Sequence, residues 1–324
     1  MNPSLLEQEE IMPSRESSKV NLDALIQRQD MAQGEPKPVP KNYGFGYQEL
    51  IEGSLTQTVL RKPDFQRGTA SWTPEKVRDM VVAYVNGETV PAIIVWRSQQ
   101  NDLFIIDGAH RLSSIIAWVN DDYGDGEISK RHFGEAQSPT TASKTRELVE
   151  AAVGNFSRAR DSSNPKSSPS DLERETAKNL PYAALPVQEL KGADVDAAER
   201  SFFKINEQGV ELTPTEKWML HSRNCPNSIA ARAISERGLG NAYWNRFEKE
   251  KQDTISKLAK EVYALLFEPA LESGTLKTAD VLIAGPFYST NALNLIFQFV
   301  NIANDIRDKP PRTRQEAESI AERC

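Results

Sequence analysis

The sequence predicts an α+β protein in which a small mixed α/β domain is followed by an all-helical C-terminal domain. Two patterns support this prediction. Short β-branched runs alternate with amphipathic helical segments up to about residue 212, and beyond that point apolar residues recur at helical spacing. Residues 1–43 are polar and rich in Gln, Glu, Ser and Pro, so we expect a flexible N-terminal arm. The predicted domains are therefore 1–43, 44–212 and 213–324.

The composition excludes several classes of protein. The chain has 324 residues, 39% of them hydrophobic, and a net charge of −7, which gives no bulk attraction to DNA or anionic lipid. No apolar run approaches the length of a membrane span, and the N-terminus lacks the basic and apolar regions of a signal peptide. We therefore expect a cytoplasmic protein without membrane contact. Cys225 and Cys324 have no spacing typical of disulfide frameworks or zinc sites.

The α/β segment contains a strand, turn, strand, helix unit. It is preceded by WTPEKVRDMVVAYVNGE (72–88), a helical pattern with Thr73 as N-cap and Pro74 at the first helical position. VPAIIVWRS (90–98) and LFIID (103–107) are strand-like and are separated by the turn QQND. The segment HRLSSIIAWVN that follows is a predicted helix.

The remainder of the chain is organised more simply. Region 134–180 has one helical pattern, TASKTRELVEAAVG, followed by a stretch rich in Ser, Pro and Asn, and we expect a flexible insertion there. ALPVQEL (184–190) is a predicted strand and DAAERSFFKIN (196–206) a predicted helix. The C-terminal half is expected to be a helical packing or partner-binding module.

A short segment, IDGAHR, joins the second strand to its following helix. Asp107 ends the strand, Gly108 makes the turn, and Ala109 begins the helix. A helix N-terminus presents unpaired N–H groups and a positive dipole end, and a small residue there lets an anion approach. Arg111 adds a planar fork for phosphate, His110 can donate to a phosphate or carry a proton, and Asp107 can hold Mg²⁺ or orient a nucleophile.

The same segment has a purely structural interpretation, because Asp-Gly is common in turns. Asp107 would then cap the helix, and Arg111 would be its ion-pair partner. The sequence leaves both interpretations open.

Three other stretches contain candidate polar residues. KPDFQRGTASW (62–72) places Gln66 and Arg67 between a strand and a helix N-cap, although an arginine in a loop is usually solvated. FFKINEQGVELTPTE includes Asn206 at a helix end, and a joint between two helices is its simplest interpretation. The acidic stretch 120–126 lacks the spacing and terminal Glu of an EF-hand, so a solvated loop is favoured over a divalent-ion site.

Taken together and in this order, these stretches resemble the ParB/sulfiredoxin-like superfamily, and within it the GmrS-type domain of modification-dependent restriction systems and the related DGQHR proteins. The resemblance covers about residues 50–220, interrupted by the insertion. It rests on Pro63, Phe65, Gln66, Arg67, Trp72, Gly87 and Pro91, on Asp107 to Leu112, and on Phe203, Asn206, Gly209, Leu212 and Glu216.

The resemblance implies a small α/β domain that binds nucleotide phosphates at the turn from a strand to a helix, as similar turns do in sulfiredoxin-like ATP users and ParB-like CTP users. The implied ligands are an NTP of unspecified base and Mg²⁺, with Asp107 as the metal ligand. Asp107 and His110 are the implied catalytic residues. The implied phosphate site consists of Gly108, Ala109 and Arg111 beside them, Gln66 and Arg67 on the neighbouring loop, and Asn206 at the border.

Ala109 departs from the family pattern. Sulfiredoxins have their reactive cysteine at this position, so sulfinic-acid repair is not expected. The restriction-type motif has Gln there, which could orient a water for hydrolysis. Alanine cannot orient a water. A nuclease is not expected either, because HNH chemistry needs at least two well-placed histidines and metal ligands. His110, His132 and His221 have no such context.

The leading hypothesis is a nucleotide-binding protein of a defence, DNA-modification or mobile-element system, with NTP hydrolysis as its candidate reaction. The alternative is a non-catalytic DNA-binding or regulatory module that grips a nucleic-acid phosphate and recruits a partner effector or nuclease subunit. A kinase of a small metabolite is a third hypothesis. The sequence does not specify an oligomeric state.

Overall fold

The computed structural model of the protein describes residues 19–29, 44–63, 69, 71–190, 195–207, 218–219, 222, 225–239, 244, 247–267 and 290–306. The strands are β1 Gln27–Gln29, β2 Gly44–Phe45, β3 Leu60–Pro63, β4 Ile93–Arg97, β5 Leu103–Asp107 and β6 Leu185–Glu189. The helices are α1 Tyr47–Leu50, α2 Leu55–Val59, α3 Pro74–Val85, α4 Ala109–Asn120, α5 Glu127–Phe133, α6 Pro139–Val153, α7 Phe156–Arg160, α8 Asp171–Asn179, α9 Val195–Glu207, α10 Pro226–Ser235, α11 Lys249–Phe267 and α12 Thr290–Ala303.

Six strands of the described residues form one mixed sheet in the order β1-β3-β5-β4-β6-β2. Three neighbouring pairs are parallel, namely β1 with β3, β3 with β5, and β4 with β6. The pairs β4 with β5 and β6 with β2 are antiparallel. The strands β1, β3 and β5 therefore end at one edge of the sheet, where β4 and β6 begin. We call this the corner edge.

The predicted strand, turn, strand, helix unit is confirmed as β4, a turn, β5 and α4. Val95 of β4 lies opposite Ile105 of β5, and Asn101 in the turn has a φ of 69°. The preceding helix α3 also begins as predicted, because the Thr73 side chain accepts a hydrogen bond from the Lys76 N–H at 3.4 Å and Pro74 is the first helical residue.

Strand β5 is covered on both faces. Ile105 lies in the main hydrophobic core, which also contains residues of α3 and α4. Phe104 and Ile106 face the other way and pack with Trp96 of β4 and Phe202 of α9. Because neither face meets water, the strand LFIID is apolar without alternation. The sheet thus holds the end of β5 rigidly at the corner edge.

Residues 19–29 belong to the segment 1–43, for which the composition predicted a flexible arm. In the structure these residues are folded against the sheet. A 3-10 turn, Asp23–Leu25, precedes β1, and β1 pairs with β3. Leu22, Leu25 and Ile26 are buried in the main core. The composition of residues 1–43 as a whole is polar, so it did not indicate that this short segment contains buried apolar residues.

The region 134–180 differs from the expected flexible insertion as well, because it contains α6, α7 and α8. The Trp118 Nε1–H of α4 donates to Gly154 O at 3.1 Å, and the Thr176 hydroxyl donates to Val153 O at 2.7 Å. Helix α8 begins with a capping box formed by Ser170 and Glu173. Much of the Ser-rich composition of this region therefore belongs to turns and caps.

The C-terminal helices α10, α11 and α12 pack around a separate hydrophobic cluster that includes Trp244, Tyr263, Ile296 and Phe297. A mixed sheet with helices, followed by these helices, confirms the predicted α+β class. Within the part of the chain that the structure describes, no helix is both long and apolar enough to cross a bilayer.

Candidate functional site

Gly108 joins β5 to α4 in a conformation that favours glycine. Its φ is 93° and its ψ is 13°, in the left-handed region. A Cβ at this position would lie 2.6 Å from Ile93 Cδ1 and 2.9 Å from Arg111 Nη2. The positive φ and the nearby side chains of Ile93 and Arg111 both favour glycine at position 108. We call residues 107–111 the corner.

The N-terminus of α4 has no side-chain cap. Gly108, the N-cap residue, has no side chain to accept from the first N–H groups, and Asp107 forms no hydrogen bond to them within the described residues. The capping part of the structural interpretation of Asp107 is therefore wrong. A helix start without a side-chain cap is one at which an external anion can supply the missing acceptor.

Arg111 and Asp107 form the ion pair that the structural interpretation predicted. Arg111 Nη2 donates to Asp107 Oδ2 at 2.6 Å and to Ala92 O at 3.2 Å. The two side chains are 18% and 36% exposed, so the pair is only partly shielded from solvent. The buried Arg111 Nε has no hydrogen-bond partner among the described residues. The guanidinium is thus held at the helix start with donor capacity left for a ligand.

His110 is fixed against the segment that leads into α3. Its Nε2 lies 2.7 Å from Ser71 Oγ, and its ring stacks on Trp72 with centroids 5.4 Å apart and an interplanar angle of 22°. The sequence analysis did not single out Ser71, although Trp72 is part of the family pattern. Ser71 and Trp72 precede a helix N-cap, and nothing in their local sequence indicates a contact with a histidine that lies 39 residues after Ser71.

Burial lowers the pKa of His110 to about 4, and the positive charges of Lys62 and Arg111 act in the same direction, whereas Asp23 and Asp107 oppose them. The imidazole is therefore neutral at pH 7. A neutral imidazole can donate or accept one hydrogen bond at the corner, but it brings no positive charge to a phosphate.

Three of the predicted site residues have side chains that lie outside the described part of the chain. Gln66 and Arg67 lie outside the described residues; they follow β3, which ends at Pro63 on the corner edge next to β5. Asn206 is in the last turn of α9, and its side chain is outside the described residues. The structure therefore brings together Asp107, Gly108, Ala109, His110 and Arg111.

The corner offers one carboxylate to a metal rather than a complete metal site. Among the described residues, no group of three His, Cys, Asp or Glu side chains is suited to hold a metal ion. Mg²⁺ in nucleotide sites is commonly held by one or two carboxylates together with phosphate oxygens. Asp107 fits that limited role, because its described ion pair engages Oδ2.

The acidic stretch 120–126 is not the solvated loop that the sequence favoured. Asp122 is 1% exposed, and its carboxylate accepts from Gly124 N, Gly126 N and Ser129 N and from the Ser129 hydroxyl. Four donors satisfy this carboxylate without a cation. Asp122 therefore organises the start of α5.

These features define a mixed α/β domain with an uncapped helix start and a paired arginine at one edge of its sheet, followed by helices that pack around a core of their own. The family model for the GmrSD restriction endonuclease, N-terminal domain, matches residues 47–222, which is more than half of the chain. The chain therefore belongs to this family and is a component of a restriction, or defence, system. This confirms the resemblance to the GmrS-type domain.

The match includes all eight predicted site residues but begins after residues 19–29. A search of curated proteins and a search of solved structures each found no match.

Proposed function

We propose that this protein binds a nucleoside triphosphate at the start of α4 and that hydrolysis of its terminal phosphoanhydride bond is the reaction of this restriction-system component. The observation that carries the proposal is the uncapped N-terminus of α4 beside Arg111, whose buried Nε has no hydrogen-bond partner among the described residues. Helix starts of this kind bind phosphate, because their backbone N–H groups donate hydrogen bonds to it and the positive end of the helix dipole attracts its charge. We also propose a cytoplasmic location.

In this proposal the corner residues have separate roles. The N–H groups of Ala109, His110 and Arg111 donate hydrogen bonds to the phosphate oxygens, and the Arg111 guanidinium balances the phosphate charge. Gln66 and Arg67 approach from the loop after β3, and Asn206 borders the nucleotide. Neutral His110, held by Ser71 and Trp72, offers one hydrogen bond and keeps the helix start in place.

Hydrolysis requires a water to attack the terminal phosphorus, with the nucleoside diphosphate as leaving group and a proton passing from the water to a base. Asp107 is the proposed base, because a carboxylate oxygen beside the helix start is available once Arg111 turns to the phosphate. Mg²⁺, held by Asp107 and phosphate oxygens, would supply charge neutralisation when bound. Ala109 provides no group to orient the water, so we expect slow turnover.

The experiment combines thermal shift with phosphate release for ATP, GTP, CTP and UTP in the presence and absence of Mg²⁺. We expect at least one nucleotide to raise the melting temperature of the wild type and not that of Arg111→Ala. Phosphate release that disappears in Asp107→Asn supports hydrolysis. Stabilisation without release supports nucleotide-regulated binding only, and no stabilisation by any nucleotide contradicts the proposal.

The membership in a restriction endonuclease family favours a second candidate function, a non-catalytic module whose corner grips a DNA phosphate and which recruits an effector or nuclease subunit. The net charge of −7 restricts such binding to a local patch. Binding of this kind loses affinity steeply with salt, in proportion to the phosphates contacted. A DNA affinity that falls with salt and is weakened by Arg111→Ala, without binding of free nucleotide, would favour this function over the first.

A further inference from the structure

A solvent-exposed hydroxyl lies beside the helix start of α4. Ser71 precedes α3, is exposed, and places its Oγ 2.7 Å from His110 Nε2. His110 is the second residue of α4, so its backbone N–H is one of those proposed to bind phosphate. The structure therefore holds a serine hydroxyl, open to solvent, within one hydrogen bond of a residue of the proposed phosphate site.

The contact between Ser71 and His110 pairs a nucleophile with a base. A serine hydroxyl is a weak nucleophile on its own and becomes effective when an adjacent group takes its proton. The Oγ to Nε2 distance of 2.7 Å is within the reach of about 2.6–3.2 Å that a general base needs. Burial keeps the imidazole neutral at pH 7, so one ring nitrogen is free to accept a proton.

Both members of the pair are held by their surroundings. The His110 ring stacks on Trp72 with centroids 5.4 Å apart, which fixes the plane of the imidazole. The Trp72 carbonyl accepts a hydrogen bond from Val20 N at 3.0 Å, and the next residue, Thr73, is the N-cap of α3. Ser71 is therefore attached to a fixed point of the backbone, and a reacting group on such a support is positioned more precisely than one on a free loop.

The Ser71 hydroxyl has an advantage over water as the group that attacks a bound nucleotide. Ala109 provides no side chain that could orient a water, whereas the hydroxyl is already held by a hydrogen bond. A reacting group held in place gains a large advantage over one that must be collected from solution. Ser71 is therefore a better-placed acceptor for the terminal phosphoryl group than a free water.

The charge of a bound nucleotide makes His110 a stronger base. Burial is the main cause of its low pKa of about 4, and the positive charges of Lys62 and Arg111 lower that pKa further. The negative charge of a triphosphate at the helix start opposes those two charges, so it raises the pKa of His110. The imidazole therefore accepts a proton more readily when the phosphoryl donor is in place.

We propose that Ser71 is a nucleophile that takes the terminal phosphoryl group of the nucleotide bound at the start of α4. The bond from Ser71 Oγ to the terminal phosphorus forms, the bond from that phosphorus to the bridging oxygen breaks, and the nucleoside diphosphate leaves with that oxygen. The hydroxyl proton passes to His110 Nε2. The product is a protein phosphorylated on Ser71. The proposal rests on the proposed function for its phosphoryl donor.

The first measurement follows covalent phosphorylation of the full-length protein. The protein is incubated with Mg²⁺ and with the nucleotide that stabilises it best, labelled in the terminal phosphate, and samples are quenched in acid. The tryptic peptide 68–76 contains Thr69, Ser71 and Thr73, and its fragmentation identifies the hydroxyl that carries the phosphate. We expect the phosphate on Ser71.

Three variants accompany the wild type. The label should disappear in Ser71→Ala, and its rate of formation should fall by about 100-fold or more in His110→Gln, which cannot take the proton. Ser143→Ala is the matched control, because it removes another exposed hydroxyl that bonds a side chain, Glu147 at 3.2 Å, and lies in α6. It should label as the wild type does. The thermal shift given by the nucleotide is recorded for each protein, so that loss of binding is distinguished from loss of transfer.

The second measurement tests the pair without any nucleotide. A fluorophosphonate ester reacts with activated serines: the Oγ–P bond forms, fluoride leaves, and the hydroxyl proton goes to the base. We expect this probe to label Ser71 in preference to Ser143, and to label it more slowly in His110→Gln.

Nucleotide binding without covalent label would overturn the proposal and leave the proposed function intact. Label on Thr69 or Thr73, or an unchanged rate of labelling in Ser71→Ala or His110→Gln, would overturn it too. If no nucleotide stabilises the wild type, the proposed function fails and phosphoryl transfer fails with it. The fluorophosphonate reaction then decides whether His110 activates Ser71 at all, and the absence of that reaction would overturn this part as well.

Discussion

Gly108→Ala is the substitution whose effect the structure specifies most completely. Gly108 has a φ of 93°, and a new Cβ would lie 2.6 Å from Ile93 Cδ1 and 2.9 Å from Arg111 Nη2. Real Cβ atoms do not approach that closely, so both neighbours must move. The movement of Arg111 breaks its 2.6 Å contact with Asp107. A single methyl group therefore perturbs backbone, packing and the ion pair together.

The magnitude has two parts. A left-handed conformation costs an L residue roughly 1–2 kcal/mol, and about 0.4–1 kcal/mol of that is offset because alanine restricts the unfolded chain. Displacing packed neighbours adds about 1–3 kcal/mol. Gly134→Ala isolates the first part, since Gly134 has a φ of 78° and a Cβ there would meet nothing within 4 Å.

Urea unfolding of both variants gives the comparison. We expect Gly134→Ala to lower the free energy of unfolding by about 1 kcal/mol and Gly108→Ala by about 1–3 kcal/mol more. Nucleotide affinity should fall about tenfold in Gly108→Ala, through the displaced guanidinium, and remain unchanged in Gly134→Ala. Equal destabilisation and equal affinity in the two variants would refute the crowding at the corner.

Three further predictions concern stability. His110 takes up a proton near its ordinary pKa in the unfolded chain but only near pH 4 in the folded protein. Lowering the pH from 7 to 5 should therefore destabilise the wild type by about 2 kcal/mol relative to His110→Gln, as measured by urea unfolding. An equal dependence of stability on pH in the two proteins would contradict the low pKa. Ser170→Ala should cost about 1 kcal/mol through loss of the capping box with Glu173, measured by thermal unfolding, and no change would refute the cap. Trp118→Phe leaves the buried Gly154 carbonyl without its donor and should cost about 1–3 kcal/mol in urea, whereas a neutral result would show that this bond does not hold α4 to the region after α6.

The sequence could predict the elements that local signals define. Thr73 and Pro74 mark the start of α3, and β-branched runs mark β4 and β5, because caps and strands depend on residues close in the chain. The order of motifs was enough to identify the family that residues 47–222 match.

What the sequence could not predict depends on contacts between distant segments. Asp23 lies 39 residues from Lys62 and 46 from Thr69, both of which donate hydrogen bonds to its carboxylate, and no local pattern distinguishes such a carboxylate from one on the surface. Likewise Asp122 looked solvated because its partners are mainly backbone N–H groups, which sequence patterns do not reveal. At the corner itself, an ion pair and a phosphate site use the same residues, so the sequence left both interpretations open.

The central claim is that the start of α4 and Arg111 together bind nucleotide phosphate. Titration calorimetry of the best-stabilising nucleotide against wild type, Arg111→Ala and Arg97→Ala tests it directly. Arg97 is the matched control, because its side chain is 15% exposed, pairs with Glu189, and lies beside Leu103 at the opposite edge of the sheet. The account predicts that Arg111→Ala weakens binding by about tenfold or more while Arg97→Ala does not. Equal affinities in all three proteins would contradict it.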